Sequence, residues 1–358
     1  MKRTEHLEIN TQNHVSNVYI GPKIFKCIPK YVRKSFLGSK VLIVTDRNVD
    51  SFYGEQILQN MKEEGILATK LILPPGEKSK SVSGLLSVYD ELGKNGFLRN
   101  DLIMALGGGV IGDLAGFAAA TWQRGMGLVQ VPTTLLAQID SSIGGKTAID
   151  LKWGKNMVGA FKQPDLVCID PELLLTLDCP NFSSGMAEMI KYACIWDHEM
   201  FEILKTRSDC ITEYLTDLIF KSCSVKKQVV EEDTEDNGKR MILNFGHTIA
   251  HVLESLAGYE NLSHGFAVAI GMVEIMRRAE VNGLVRSGIA EELAYVCNLY
   301  DLPTEMPQIN RQSAAEFVLR DKKARKGKIN LVLLNEIGSC FIYKTEIDKV
   351  VKFLGWCD

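Results

Sequence analysis

Three of the six histidines in this 358-residue chain lie in one short stretch, NFGHTIAHVLESLAGYENLSH, as His247, His251 and His264. His247 and His251 are four residues apart in a helical pattern, so they share one helix face. We expect His264 to follow a short loop and begin the next helix. Neighbouring imidazoles are typical of a metal site, and a catalytic zinc needs three protein ligands and an open position. The missing ligand would be an Asp or Glu, and His251 could instead stand beside the metal and contact a substrate.

Basic side chains lie close to glycine turns in the middle of the chain. Lys146 ends a Gly-Gly-Lys turn in QIDSSIGGKTAIDLKWGKNMVGAF, and Lys191 lies inside the otherwise apolar run AEMIKYACI, three residues after Glu188. Residues three apart share a helix face, and a buried lysine needs a partner or a function. These lysines are either solvated surface residues or ligands of a small, multiply charged anion. Their surroundings favour the anion.

A glycine-rich turn follows an apolar run in DLIMALGGGVIGDLAGFAAAT. Gly107, Gly109 and Gly112 have the G-x-G-x-x-G spacing, after a strand pattern and at the start of a helix pattern, which is the context for a nucleotide phosphate. A tight turn without a ligand is the alternative. The acid that usually follows about 20 residues later is absent, so Asp46 and Glu77 are the better candidates for ribose and adenosine contacts. If NAD binds through these residues, the sheet order differs from the simple Rossmann order.

In the first half of the chain, segments with strand patterns alternate with segments with helix patterns, and these elements position the residues above. Five short apolar runs read as strands, and helical segments such as EQILQNMKEEG and VSGLLSVYDELGKNG lie between several of them. This alternation predicts a mostly parallel sheet covered on both faces. The five runs are KVLIVTD, ATKLIL, DLIMAL, GLVQVP and DLVCID.

The pattern changes near LDCPNFSSG, after which long segments have helical periodicity and only KINLVLLNEIG and CFIYKTEI read as strands of one hairpin. We expect an α/β, Rossmann-like domain over residues 1–178 and a mainly α-helical domain over residues 179–358. The first would bind a nucleotide and the second a metal and a substrate, with a ligand cleft between the two.

Composition excludes several classes of protein. The chain is 46% hydrophobic and 24% charged with a net charge of -3, so it has no general attraction to nucleic acid or to a membrane surface. No apolar run approaches the ~18 residues that a membrane helix needs. Nine scattered cysteines without a C-x-x-C pair favour a reducing compartment. We expect a cytoplasmic protein.

Taken in order, these segments resemble the 3-dehydroquinate synthase family over essentially the whole chain. The blocks that carry the resemblance are GGGVIGDLAGFAAAT, VPTTLLAQIDSSIGGKTAID, GKNMVGAF, GMAEMIKY, NGKRMILNFGHTIAH, SHGFAVAIGM and DKKARKGKINLVLL. The resemblance implies that 3-deoxy-D-arabino-heptulosonate 7-phosphate is converted to 3-dehydroquinate and phosphate. NAD would act as a catalyst without net redox change, with one divalent metal, Zn²⁺ or Co²⁺.

The resemblance also assigns roles to residues. It implies metal binding by Glu188, His247 and His264, and a proton-transfer role for His251. It implies substrate-binding or catalytic roles for Asp140, Lys146, Asn156, Lys191, Lys226, Arg240 and Asn244, and for Lys322 or Lys323. It implies NAD contacts from Asp46, Glu77, Lys80, Gly108, Gly109, Val110, Asp113, Thr133, Thr134, Asp140, Lys155 and Thr176. Arg124 would reach the substrate of a neighbouring subunit, which implies a homodimer.

Two positions depart from the family pattern. Phe266 replaces an acid two residues after His264, and Ala250 replaces a glycine next to His251. Phe266 puts the surroundings of the metal, and thus metal affinity, in question. Three other functions compete with 3-dehydroquinate synthesis. The protein could be a related cyclase acting on another sugar phosphate, a polyol dehydrogenase, or a sensor that binds NAD and metal without catalysis.

Overall fold

The computed structural model describes residues 4–36, 40–234, 236, 238–258, 262–320 and 327–356, so Lys322 and Lys323 lie outside the described residues. The chain forms two compact units. The first contains Met1–Phe182 and Leu215–Glu235, and the second contains Ser183–Tyr214 and Asp236–Asp358. The domain boundary expected near residue 178 stays a prediction. Residues 215–235, which the periodicity assigns to the helical half, lie in the first unit.

A seven-stranded sheet forms the centre of the first unit. The strands of this unit are β1 (Glu5–Thr11), β2 (His14–Ile20), β3 (Lys40–Asp46), β4 (Leu67–Leu73), β5 (Leu102–Gly107), β6 (Gly127–Pro132), β7 (Lys146–Leu151), β8 (Gly154–Phe161) and β9 (Leu166–Ile169). The sheet has the order β1-β2-β9-β6-β5-β3-β4, and β7 and β8 pair separately. β1 is antiparallel to β2, and the other pairs in the large sheet are parallel. This confirms the predicted α/β class and the five predicted strands; β1, β2, β7 and β8 are additional.

Helices of the first unit pack on both faces of this sheet. The helices that precede β6 are α1 (Ile28–Ser35), the single turn α2 (Arg47–Val49), α3 (Glu55–Glu63), α4 (Val82–Lys94) and α5 (Gly109–Thr121), and a later helix (Leu215–Glu232) also belongs to this unit. Within β3, Leu42 and Val44 join a core with α4 and α5, whereas Val41 and Ile43 join a core with α1 and α3. Successive strand residues point to opposite faces, so a continuous apolar run is what a sheet covered on both sides requires.

The second unit is mainly helical and contains one hairpin. Helix α6 (Cys179–Trp196) leads into it, α7 (His198–Thr206) follows, and α8 (Leu215–Glu232) returns to the first unit. The remaining elements are α9 (His247–Leu256), α10 (His264–Val281), α11 (Ile289–Asn298), α12 (Arg311–Arg320), β10 (Lys328–Glu336), β11 (Ser339–Glu346) and α13 (Ile347–Phe353). β10 and β11 pair antiparallel, which confirms the predicted hairpin.

Two further features of the described residues concern membrane spans and thiols. No helix among them combines the length and the apolar character needed to cross a bilayer. Each cysteine that the structure describes is a free thiol.

Candidate active site

Close helix packing in the second unit determines where the histidines lie. A Cβ atom on Gly265 would lie 2.0 Å from the backbone oxygen of Ser184, and one on Gly271 would lie 2.2 Å from the backbone oxygen of Gly246. α10 therefore approaches α6 and the start of α9 at distances that only glycine allows. Gly246 has φ 78°, and α9 begins at the next residue. His247 and His264 are consequently both held at the first position of a helix.

The structure brings together the three residues expected to bind a metal. Their ligand atoms all lie within 4.8 Å of one another. Nε2 of His247 is 3.6 Å and Nε2 of His264 is 3.5 Å from Oε1 of Glu188, which is fully buried. The two imidazole rings meet edge to face with centroids 5.3 Å apart. Two imidazole nitrogens and a carboxylate oxygen converge on one point, which is the donor set of a three-ligand zinc or cobalt site.

The outer nitrogen of each ring is held by an acceptor. Nδ1 of His247 is 3.0 Å from the backbone oxygen of Phe245, and Nδ1 of His264 is 3.1 Å from Oε1 of Glu254. A carbonyl or carboxylate oxygen can only accept, so each Nδ1 carries the hydrogen. Both Nε2 atoms therefore face Glu188.

Charges in this cluster shift the two imidazoles in opposite directions. Burial, with Lys191 nearby, lowers the pKa of His247 to about 3. Burial alone would also lower the pKa of His264, but hydrogen bonds to Glu188 and Glu254 outweigh it and raise the pKa to about 10. Lys191, only 2% exposed, forms an ion pair with Glu188 one helical turn before it. The partner that the apolar run around Lys191 requires is thus Glu188, as the i, i+3 spacing predicts.

A cavity in the second unit adjoins the triad. His247, His251 and Asn244 contribute polar groups to its lining, and Phe317 and Ile329 contribute apolar ones. The His251 ring is 5.6 Å from that of His247, in an edge arrangement. The exposed His251 therefore lines the cavity beside the triad. Arg240 is 3% exposed and precedes Asn244 on the same 3₁₀ segment.

A second group of predicted residues converges in the first unit. Nζ of Lys80 donates to Asp113 Oδ2 and to Asn156 Oδ1, both at 2.5 Å. Asn156 has φ 56°, and its backbone N–H donates to Asp150 Oδ1 at 2.7 Å. Nζ of Lys155 lies 3.8 Å from Glu77. Lys80 thus fixes a strained asparagine next to the helix that starts at the glycine turn.

The glycine turn itself has the geometry expected of the motif. β5 ends at Gly107 and α5 starts at Gly109, with no side chain capping the helix. A Cβ on Gly108 would lie 3.0 Å from Thr134. Oγ1 of the buried Thr133 has no hydrogen-bond partner among the described residues. Uncapped N–H groups and an unsatisfied hydroxyl at one turn fit an oxygen-rich ligand such as a diphosphate.

Lys226 and Asp140 meet because α8 belongs to the first unit. Nζ of Lys226 donates to both the carboxylate and the backbone oxygen of Asp140. Lys226 is 5% exposed. The sequence places these residues 86 positions apart, and only the return of α8 joins them.

Other predicted residues occupy separate places in the first unit. Asp46 caps α2 by accepting from Asn48 and Val49 through Oδ1. Thr176 Oγ1 is 2.7 Å from the hydroxyl of Tyr53. Three more residues lie at or near the ends of elements. Val110 is the second residue of α5, the exposed Lys146 starts β7, and the exposed Arg124 has φ 65° in the turn after α5.

Glu254 is the site residue that the sequence reasoning missed. It lies seven residues after His247, two helical turns along the same face of α9. That spacing, together with an acid inside the apolar pattern HVLESL, is the signal that could have identified it.

Comparison with solved structures defines the class of fold. The 2-epi-5-epi-valiolone synthase ValA from Streptomyces hygroscopicus subsp. jinggangensis, solved with NAD⁺ and Zn²⁺, is 25% identical with a TM-score of 0.85 over 100% of both chains. A 2-deoxy-scyllo-inosose synthase complexed with carbaglucose-6-phosphate, NAD⁺ and Co²⁺ gives a TM-score of 0.86 at 23% identity, covering 98% of this chain and 99% of the other. The chain has the fold of the sugar phosphate cyclases.

The sequence comparisons define the family within that class. A 3-dehydroquinate synthase from Clostridium acetobutylicum is 44% identical over 97% of this chain and 98% of its own. The family profile "3-dehydroquinate synthase N-terminal" matches residues 70–184, and "3-dehydroquinate synthase C-terminal" matches residues 185–324. The chain belongs to the 3-dehydroquinate synthase family.

Proposed function

We propose that this protein converts 3-deoxy-D-arabino-heptulosonate 7-phosphate to 3-dehydroquinate and phosphate, the second step of the shikimate pathway, with NAD and a divalent metal. Identity of 44% to a 3-dehydroquinate synthase over 97% of the chain supports this reaction. The observation that carries the proposal is the cluster of Glu188, His247 and His264, with ligand atoms within 4.8 Å of one another.

In this proposal the metal is held by the three clustered side chains. Two imidazoles and one carboxylate suit Zn²⁺ or Co²⁺, whereas Mg²⁺ and Ca²⁺ prefer oxygen ligands alone. A bound ion of this kind lowers the pKa of substrate hydroxyl groups and polarises them. Lys191 and the outer partners of the rings keep the ligands fixed in a buried site, so little reorganisation is needed during the reaction.

NAD would bind at the glycine turn of the first unit. The uncapped start of α5 and the unsatisfied hydroxyl of Thr133 fit its diphosphate. When bound, NAD would supply a reversible hydride acceptor. Lys80 would hold Asn156 and Asp113 in place beside the cofactor, and Asp46 and Glu77 would contact the adenosine ribose. The other proposed NAD contacts are Gly108, Gly109, Val110, Thr133, Thr134, Asp140, Lys155 and Thr176.

The substrate carries a carboxylate and a phosphate, which require cationic partners. Fixed cations orient such groups and lower the entropic cost of a multistep reaction. We assign this role to Lys146, Lys191, Lys226, Arg240 and either Lys322 or Lys323, with Asp140, Asn156 and Asn244 as polar contacts. His251 would transfer a proton on the phosphate side of the substrate. Arg124 would complete the site of a second subunit in a homodimer, and we expect the protein in the cytoplasm.

A phosphate-release assay tests the proposed reaction. Purified protein with NAD and Zn²⁺ should release phosphate from the heptulosonate phosphate without accumulating NADH. Faster release from glucose 6-phosphate or sedoheptulose 7-phosphate would identify another sugar phosphate cyclase. Steady NADH production would indicate a dehydrogenase, and no turnover of any of the three substrates would support a sensor.

Variants at two exposed histidines test the role of His251. His251→Gln should slow phosphate release by at least about 100-fold, the usual contribution of a positioned proton-transfer group. His198→Gln, at the exposed start of α7, is the matched control and should leave the rate unchanged. Equal rates for the two variants would remove His251 from the mechanism.

A lysine variant tests the NAD site separately. Lys80→Met removes both hydrogen bonds from the ammonium group, so NAD affinity should fall by about 10- to 100-fold, as expected for loss of charged hydrogen bonds. Lys94→Met, at the exposed end of α4, is the control. Unchanged NAD binding in Lys80→Met, measured by calorimetry, would place the cofactor elsewhere.

A further inference from the structure

We propose that Glu254 is a positioning residue of the metal site, which holds His264 so that Nε2 faces the ion. This inference depends on the metal site of the proposed function. Glu254 is only 6% exposed, and its Oε1 lies 3.1 Å from Nδ1 of His264. A buried carboxylate is costly unless it has a partner. The ring it contacts is one that also faces Glu188.

The contact with Glu254 determines the protonation of the His264 ring. A carboxylate accepts and does not donate, so Nδ1 of His264 carries the hydrogen when the ring is neutral. The lone pair is then on Nε2, the atom 3.5 Å from Glu188. With Nδ1 held on one side, rotation about the Cβ–Cγ bond would break the bond to Glu254. The carboxylate thus selects both the tautomer and the orientation of the ring.

The two metal-binding rings differ in the acceptor at the outer nitrogen. His247 has the same arrangement, but its outer acceptor is the neutral backbone oxygen of Phe245 at 3.0 Å. Of the two outer nitrogens, that of His264 meets a carboxylate and that of His247 meets a carbonyl. A carboxylate makes the attached imidazole a stronger electron donor to a metal than a carbonyl does. Glu254 therefore adds affinity as well as orientation.

The acceptor for His264 lies on a different helix from His264 itself. Phe266 lies two residues after His264 and cannot accept a hydrogen bond through its side chain. The carboxylate that His264 contacts lies on α9, ten residues before it. This contact does not involve the side chain at position 266, so the phenylalanine there does not remove it.

The affinity of the protein for Zn²⁺ and Co²⁺ tests the role of Glu254 directly. Zn²⁺ and Co²⁺ dissociation constants would be measured by competition with a chromogenic chelator, in the absence of substrate. Glu254→Gln should weaken binding by about 10- to 100-fold, the usual cost of losing an outer hydrogen-bond partner of a metal ligand. The control is Glu274→Gln. Like Glu254, Glu274 is a buried acid (8% exposed), but it lies on α10 and pairs with Arg278 at 2.6 Å. That variant should bind within about twofold of the wild type.

A spectroscopic readout separates positioning from general stability. The visible spectrum of the Co²⁺ protein reports ligand geometry, so it should change in Glu254→Gln and stay as in the wild type in Glu274→Gln. Nitrogen-15 spectra of the Zn²⁺ protein should show His264 in the Nδ1–H form in the wild type. Glu254→Asp withdraws the carboxylate by one methylene group and should also lose about tenfold in affinity. It provides the test if Glu254→Gln does not fold.

Each outcome decides the matter. Unchanged affinity in Glu254→Gln, or in Glu254→Asp if that is the variant that folds, overturns the proposal, as does an equal loss in Glu274→Gln. A wild-type protein that binds neither ion overturns this proposal and the metal site together. Normal metal binding without phosphate release refutes the proposed reaction alone and leaves the comparison of the variants valid.

Discussion

Replacing Glu188 by Gln tests whether the buried carboxylate links stability to metal binding. The carboxylate is fully buried, forms an ion pair with Lys191 and lies 3.5 Å and 3.6 Å from the two imidazole nitrogens. Gln has nearly the same shape, so packing changes little. What changes is that the buried ammonium of Lys191 then faces a neutral amide.

The magnitude follows from the burial of this pair. Breaking a buried ion pair by neutralising one partner costs about 3–5 kcal/mol. For a unit of this size 1 kcal/mol corresponds to about 2–4 °C, so the metal-free variant should melt about 6–20 °C below the wild type. Zn²⁺ affinity should fall by at least about 100-fold, because a neutral amide is a poor zinc ligand.

A second substitution separates the two effects. Glu188→Gln combined with Lys191→Met removes both charges, and replacing a complete buried pair is often nearly neutral. The double variant should therefore recover most of the lost melting temperature and still fail to bind Zn²⁺. Calorimetric melting of metal-free samples and chelator competition measure the two quantities.

If the single variant melts with the wild type, Glu188 and Lys191 do not form a buried charge pair. If the double variant binds Zn²⁺, Glu188 is not a metal ligand.

Two further predictions concern packing and pH. Gly265→Ala places a Cβ 2.0 Å from the backbone oxygen of Ser184. It should therefore lower the free energy of unfolding, measured in urea, by more than about 2 kcal/mol and weaken metal binding. In the control Gly93→Ala the nearest atom is 3.8 Å from the new Cβ, so this variant should stabilise α4 by up to about 1 kcal/mol. Equal changes in the free energy of unfolding for Gly265→Ala and Gly93→Ala would show that α10 can move away from Ser184 without cost. Burial opposes ionisation of Glu231, but hydrogen bonds from Asn10 keep its pKa below the model-peptide value of 4.5. A lowered pKa contributes stability above pH 4.5 that is lost as the pH falls, so Glu231→Gln should cost about 1–2 kcal/mol at pH 7 and progressively less below pH 4.5. A cost that stays constant with pH would contradict this.

Local sequence patterns predicted the elements that have strong patterns of their own. The run KVLIVTD became β3 because each of its faces meets helices, and the alternation of strands and helices gave the parallel sheet. β1 and β2 were missed because EHLEINT and HVSNVYI mix polar and apolar residues, as strands near a sheet edge do. β8 is largely exposed and lacks the apolar signal of a core strand.

The candidate site was predictable where its residues lie close together in sequence. The i, i+3 spacing joined Glu188 to Lys191, and the histidine cluster indicated a metal. Lys226 and Asp140 could not be joined by spacing, because their contact depends on the path of a helix that returns to another unit. The departure at Phe266 raised a question about metal affinity, to which the contact between Glu254 and His264 is relevant.

The path of α8 also has a consequence for how this protein can be divided. The chain passes between units at three points, so neither unit is one continuous segment. A cut at 184/185, where the two family profiles meet, would leave the amino-terminal fragment without the helix whose Glu231 binds Asn10 of β1 and whose Lys226 binds Asp140. We expect that fragment to expose the apolar side chains that α8 covers and to aggregate when made alone. Exchange of halves between relatives would succeed only if residues 215–235 travel with the amino-terminal part.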